Sequence, residues 1–342
     1  MYVVMIASEC APAAKVGGLA DVVFGLSREL ELRGHAVEII LPKYDCMRQD
    51  QVWGLHGIDH DLWVPWDGGA IRCTVWFGFV HGRKCFFIEP HCAQAFFDRG
   101  TYYGFWDDPE RFAFFSKAAL EFLSKSNKRP DVIHTHDWQT ALVPVLLYEL
   151  YAHAGLADQR VCHTIHNFRH QGTTGPGILR ATGLNRPEYF GAPDRMGDEF
   201  DRHSINLLRG AILYSNAVTT VSPHHAWEAR HTDLGFGLGH ALHLHQDKFV
   251  GILNGLDYEM WNPETDPHIP QHFNAATVAN KAGNTDALRQ RMLLRKGARP
   301  VIGYVGRLDT QKGLHLIRHA LFHALEHDAQ FVLLGSGSEH GI

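Results

Sequence analysis

The 342 residues predict a doubly wound α/β protein, with a first parallel-sheet domain over 1–250, a linker over 251–299, and the start of a second, incomplete domain of the same kind over 300–342. Three observations carry this prediction. Short apolar runs alternate with segments of helical periodicity, the alternation that builds parallel sheets flanked by helices. The runs 132–135, 161–165 and 217–221 each end in polar residues, and open parallel sheets bind ligands at the C-terminal ends of their strands. The N-terminal layout of strand, loop bearing glycine and lysine, then helix returns from Val301 onward.

Taken in order, 3–7 is a strand, and Leu19, Val22, Val23, Leu26 and Leu30 form the apolar face of a helix that Gly34 ends. A second strand, 36–41, stops at Pro42, completing a strand–helix–strand unit. From Trp53 to Pro90 the pattern changes to short aromatic and β-branched runs at 62–64, 73–77 and 84–88, an antiparallel excursion inserted between parallel strands. Asp108 caps the next helix, followed by Pro109 and Glu110 in its first turn, with Phe112, Phe115, Ala119, Phe122 and Leu123 on the inner face. Strands 132–135, 161–165, 217–221 and 249–253 follow, with a helix over 140–151 after the first of them. Residues 262–299 lack sustained apolar periodicity until about Leu288, which marks the domain boundary. Strand 301–305, helix 314–325 and strand 331–334 begin the second sheet.

Composition narrows the function. With 45% hydrophobic and 20% charged residues the chain is an ordinary globular one. A net charge of −5 excludes a broadly basic face, and with it a nucleic-acid or anionic-membrane partner. The six cysteines are scattered without a C-x-x-C pair, which predicts reduced thiols in the cytoplasm rather than a disulfide framework or zinc site. No basic leader precedes the first strand and no apolar run nears a membrane span, so the expected protein is neither secreted nor anchored.

The loop Lys15-Val16-Gly17-Gly18-Leu19-Ala20-Asp21 joins the first strand to the first helix. Gly17 and Gly18 let an anion approach backbone N–H groups, the helix start adds its dipole, and Lys15 adds a full charge; the same pattern also reads as a tight βα turn. In the second domain, Arg307 and Lys312 supply a planar fork and a flexible point charge for phosphate oxygens, or are solvated loop charges. His166 ends a strand, either as a neutral imidazole facing a ligand or as a structural histidine. Asp137 accepts from ligand hydroxyls, caps the helix that follows, or does both. Asp21 is a first-turn acid, and Asn254-Gly255 is first of all a turn. The pair His134-x-His136 shares a strand face and forms a metal-site alternative, without a downstream cluster to complete it. Trp63, Trp66, Trp76, Tyr102, Tyr103 and Trp106 are aromatic platforms of which most belong to the core, and none is assigned to a ligand.

The loop around Lys15, the segment Asp107-Asp108-Pro109-Glu110-Arg111-Phe112, and the motifs His136-Asp137-Trp138, Thr164-Ile165-His166-Asn167, Thr220-Val221-Ser222-Pro223, Leu253-Asn254-Gly255-Leu256-Asp257 and Gly306-Arg307-Leu308-Asp309-Thr310-Gln311-Lys312-Gly313 occur in one order. In that order the chain resembles bacterial glycogen synthases and plant starch synthases. The resemblance implies the GT-B arrangement, two facing Rossmann-like domains with the active site in the cleft between them. It implies transfer of glucose from ADP-glucose, or UDP-glucose, to the non-reducing end of an α-1,4-glucan with retention, without metal or cofactor. By the same resemblance Arg307 and Lys312 hold the donor diphosphate, His166 touches the transferred glucose, Asp137 lines the cleft, and Lys15, Asp21 and Asn254 lie near the donor.

The family's later Glu-x7-Glu segment has no counterpart before Ile342, and Glu339 lacks its context. The expectation is therefore a C-terminally truncated piece, inactive if the natural chain ends at Ile342 and part of an active enzyme if a longer parent chain continues it. The alternative from another class is a non-catalytic glucan- or nucleotide-sugar-binding remnant.

Overall fold

The computed structural model describes residues 1–337, and Glu339 lies outside them. The chain divides into two compact units, Met1–Gly255 and Leu256–Ile342. The first unit is built on β1 (Tyr2–Ile6), α1 (Gly18–Leu32), β2 (Ala36–Pro42), β3 (Val52–Trp66), β4 (Gly69–Val80), β5 (Arg83–Pro90), α2 (Asp108–Lys125) and β6 (Val132–His136). It continues through α3 (Leu142–Leu146), β7 (Arg160–Ile165), β8 (Thr173–Thr174), α4 (Gly177–Thr182), α5 (Pro187–Phe190), β9 (Ile205–Asn206), α6 (Leu207–Tyr214), β10 (Ala217–Thr220), α7 (Pro223–His231), α8 (Gly239–Leu244) and β11 (Phe249–Gly251).

Nine strands form one sheet in the order β11-β10-β7-β6-β1-β2-β5-β4-β3. All neighbours from β11 to β5 run parallel, with Val3 opposite both Val37 and Val132. The chain leaves β1 for β2 on one side and returns to β6 on the other, so the strand order reverses between β1 and β6. In open α/β sheets that reversal opens a crevice at the C-terminal strand ends.

The aromatic stretch 53–90 differs from expectation in one respect. The antiparallel pairing is present, β4 against β5 and β3 against β4, but the third run is a parallel member of the main sheet, β5 beside β2, so the stretch forms the edge of that sheet. Two left-handed turns make this possible, Asp67-Gly68 at φ 48° and 73° and His81-Gly82 at 45° and 85°, the positive angles that a two-residue hairpin of matching twist demands. Breaks in the apolar pattern are absorbed by register shifts between Trp53 and His56 and between Asp59 and Leu62, so three short runs become three longer strands.

Helix α2 locks this edge to the core. Phe122 meets Phe86 of β5 at 5.1 Å between ring centroids, and Phe114 meets Trp66 of β3 at 5.3 Å. Its cap is not the expected one. Asp107 occupies the cap position and is gripped by Arg99 at 2.6 and 2.7 Å, whereas Asp108 is already helical and accepts from the Gly104 amide and from Arg111. The helix after β6 is likewise irregular: a 3-10 turn over Trp138–Thr140, α3, then a π-turn over Leu147–Tyr151.

The second unit contains α9 (Lys281–Arg291), β12 (Val301–Val305), α10 (Leu314–Glu326) and β13 (Gln330–Leu334), with β12 and β13 parallel. Among its described residues Leu308, Ala324 and Gln330 are buried, while Val305, Leu325 and Leu334 stand exposed. A parallel pair with a single helix covers one face of its sheet and leaves the other uncovered.

Candidate functional site

The residues after β1 and β6 stand at the two sides of the strand-order reversal. After β1, Lys15 reaches Asp21 across the first turn of α1, Nζ to Oδ1 2.7 Å, with both side chains about half exposed (44% and 47%). The amides of Val16 and Gly17 are not open to an incoming anion, because both donate to Oε2 of Glu9, at 2.6 and 3.0 Å. Tyr103 holds the other carboxylate oxygen at 2.8 Å. Glu9 was not foreseen, although an acid directly after a buried apolar run was the available signal. Gly18 opens α1, so its amide is one of those that a helix leaves without an internal partner.

Neither glycine of this loop is needed by the protein itself. A Cβ at Gly17 or Gly18 meets nothing within 4 Å, and neither residue has positive φ. Both positions are therefore open to close approach by a group outside the chain.

After β6, Asp137 adopts φ 53°, ψ −175°, a combination that costs a non-glycine residue roughly 1–3 kcal/mol. It is held by its own amide, which donates to the Thr164 carbonyl at 2.9 Å, and by its side chain. Oδ1 accepts from the His166 amide at 2.6 Å and from the Asn167 amide at 3.3 Å. The expected helix cap is thus replaced by a clamp across to the end of β7; Thr140, through its hydroxyl, serves the His136 amide instead. Burial pushes the Asp137 carboxyl up, and the neighbouring His166 opposes this.

The His166 ring turns inward to a second imidazole, its Nε2 3.2 Å from Nδ1 of fully buried His136. One ring must donate to the other. His136 Nε2 is sealed without a partner, so a proton on His136 Nδ1 leaves only a bare lone pair there, the cheaper orphan. His166 then accepts through Nε2 and carries its own proton on Nδ1. His134 engages Thr164 at 2.7 Å, and its ring lies 4.3 Å from that of His136. Among the described residues no third ligand atom completes a metal set with this pair.

Sealing these rings has a consequence for stability. Burial first, and neighbouring imidazoles second, lower His134 to about 4 and His163 to about 3 from 6.5, and hold His136 well below its usual value. The unfolded chain therefore binds protons below pH 6.5 that the folded chain refuses. Stability is complete above pH 6.5 and is lost as pH falls toward 4, at up to about 1.4 kcal/mol per pH unit for each histidine. Urea midpoints measured from pH 7.5 to 4.5 should show this slope. His163→Asn, which keeps a polar partner for Thr135, should flatten it, and an unchanged slope would contradict the assignment.

The remaining sequence-predicted residues lie apart from this cluster. Asn254 is exposed at the end of the first unit, after β11. In the second unit, Arg307 and Lys312 flank the loop between β12 and α10, whose turn over Thr310–Lys312 is capped by Asp309 onto the Gln311 amide. Both side chains are exposed and make no ion pair among the described residues.

Residues 2–244 match the family described as the starch synthase catalytic domain. The chain is 62% identical to glycogen synthase 1 of Synechococcus sp. (strain JA-2-3B'a(2-13)) over all 342 residues, which span 70% of that relative. It is also 62% identical to glycogen synthase 2 of Methylococcus capsulatus (strain ATCC 33009 / NCIMB 11132 / Bath), covering 98% of this chain and 69% of the other. The catalytic domain of starch synthase IV from Arabidopsis thaliana, solved bound to ADP and acarbose, superimposes with a TM-score of 0.95 at 49% identity, covering 99% of this chain and 69% of that one. The strand ends, the glycine loop and these likenesses agree: the chain belongs to the glycogen and starch synthase family of GT-B glycosyltransferases.

Proposed function

We propose that this chain acts in glucan synthesis by moving glucose from ADP-glucose to the non-reducing end of an α-1,4-glucan with retention. The observation that carries the reading is Asp137, strained and clamped to the His166 backbone at the sheet's reversal point. Strain of this kind persists where the surrounding structure enforces it and clusters at functional sites.

The roles follow from the chemistry. Asp137 spends Oδ1 on two amides and keeps Oδ2 for a sugar hydroxyl. His166, its Nε2 committed to His136, presents an Nδ1–H donor to the transferred glucose. The departing diphosphate gathers charge as the glycosidic bond breaks, and preorganised donors lower that barrier. Lys15 and the Gly18 amide after β1 are donors of this kind, and the loop after β12 carries Arg307 and Lys312, the fork and point charge that the family resemblance assigns to the donor diphosphate. Asp21 keeps Lys15 in place until the donor arrives; an exposed pair of this kind is worth only about 0–1 kcal/mol, so a diphosphate displaces it readily. Asn254 contributes a polar contact near the donor, in keeping with the motif that carries it.

ADP-glucose is preferred over UDP-glucose on the strength of the ADP-bound Arabidopsis structure. A cytoplasmic setting is supported by six free cysteines, and no described helix is long and apolar enough to cross a membrane. The test is a hybrid in which these residues are continued by the rest of the Synechococcus relative, assayed for labelled glucose incorporation into glycogen. Incorporation from ADP-glucose that excess UDP-glucose fails to suppress is expected. Equal competition would reassign the donor, and a hybrid that binds ADP but incorporates nothing would be a binding protein.

A further inference from the structure

Helix α10 carries a pattern that glucose transfer does not use. His315, His319, His323 and His327 recur every fourth residue and so form one stripe, and all four are exposed while Ala324 of the same helix is buried. The rings of His323 and His327 lie 4.0 Å apart, and those of His319 and His323 stack at 6.3 Å. Glu326 stands beside them. One ligand atom each from His323, Glu326 and His327 lie within 4.8 Å of one another, the one such convergence of three among the described residues.

A second observation concerns the proton. His327 Nδ1 is 2.9 Å from the His323 carbonyl, an acceptor only, so Nδ1 carries the hydrogen and Nε2 is left as an outward lone pair. A backbone carbonyl on one ring nitrogen is how metal-bound histidines are oriented through the other.

We propose that His323, Glu326 and His327 bind one divalent transition-metal ion of the zinc or copper class, with water completing the shell. Two imidazole nitrogens and one carboxylate suit these borderline ions and disfavour calcium and magnesium, which take oxygen ligands. The site clamps the last turn of α10. The second unit buries few side chains, so an ion that binds only the folded helix adds stability in proportion to its affinity. Lys312 precedes the opposite end of the helix, roughly 18 Å away at 1.5 Å per residue, so the ion is separate from the phosphate-facing loop.

The test is calorimetric titration of the chelator-stripped chain with zinc chloride, repeated on His323→Gln, Glu326→Gln and His327→Gln, with His224→Gln as an exposed-histidine control. The wild type and control should bind one more zinc ion than the three variants, or bind it at least about tenfold more tightly, a difference of about 1.4 kcal/mol. Calcium should not compete. Far-ultraviolet circular dichroism should show unchanged helix content in the variants, and zinc should raise the melting temperature of the wild type and the control but not of the three variants. Identical titrations for wild type and His323→Gln, or displacement of zinc by calcium, would overturn the proposal.

Discussion

Replacing Arg307 by alanine in the glucose-incorporating hybrid is expected to lower kcat by about 10²–10³, or roughly 2.7–4 kcal/mol, the cost of deleting one preorganised donor to developing charge. The structure supplies the reason for a large effect on rate and a small one on folding. Arg307 follows β12 on an exposed loop, and its side chain makes no ion pair among the described residues. Its backbone carbonyl, which accepts from the Tyr304 hydroxyl at 2.8 Å, survives the substitution. The loop conformation rests on Asp309 and on Gly313 at φ 72°, not on the guanidinium. Arg307→Lys should recover only part of the rate, since a point charge cannot bond two phosphate oxygens in one plane. Steady-state kinetics with ADP-glucose beside a thermal melt decides the matter. Wild-type turnover, or a loss of rate matched by a loss of folding, would remove Arg307 from the donor site.

The opposite profile is expected at Arg111, where alanine should destabilise the first unit by about 3–5 kcal/mol, the cost of stripping one partner from a buried charged network. Its side chain is fully buried between the rings of Phe97, Phe105 and Phe112, at 5.4, 5.1 and 4.8 Å. It donates to Asp108 at 2.8 Å, to the Phe96 carbonyl at 2.6 Å and to the Tyr102 carbonyl. Alanine removes the guanidinium from the Phe96 and Tyr102 carbonyls, leaves Asp108 with only the Gly104 amide, and opens a cavity among the rings. For a unit of this size the loss corresponds to a fall in melting temperature of roughly 6–20 °C. A shift under 2 °C would show that water or a rearranged loop replaces the guanidinium.

Arg111 also reaches the candidate site, one residue at a time. The carbonyl it holds belongs to Tyr102, the next residue is Tyr103, and Tyr103 holds the carboxylate of Glu9 that fixes the Val16 and Gly17 amides. The motif residues 107–112, which looked from the sequence like a helix start, therefore anchor the loop after β1 as well.

Much of this was legible in the chain itself. The parallel strands announced themselves as short apolar runs ending in polar residues, and the first helix by its periodicity and by Gly34, which sits at φ 83°. Lys15, Asp137, His166, Arg307 and Lys312 were singled out because they follow apolar runs and lie in motifs that resemble those of glycogen and starch synthases. Three features were not legible. The edge β3–β5 joins the main sheet because bulges and two left-handed turns restore an alternation that the sequence interrupts. Asp107 rather than Asp108 takes the cap position of α2, with its carboxylate held by Arg99 instead of bonding a helix amide. Glu9 occupies amides that the glycine pattern alone suggested were open.

Local pattern by itself determined the class of fold, the chain order of the strands and the kinds of residue at their ends, because periodicity and glycine chemistry act between neighbours in the chain. Which strand lies beside which, and so which ends meet at the reversal between β1 and β6, was decided only in three dimensions. The contacts that orient the His166 ring and clamp Asp137 join residues 30 and 29 positions apart in sequence. Burial and hydrogen-bond geometry acquire values only when the chain has packed.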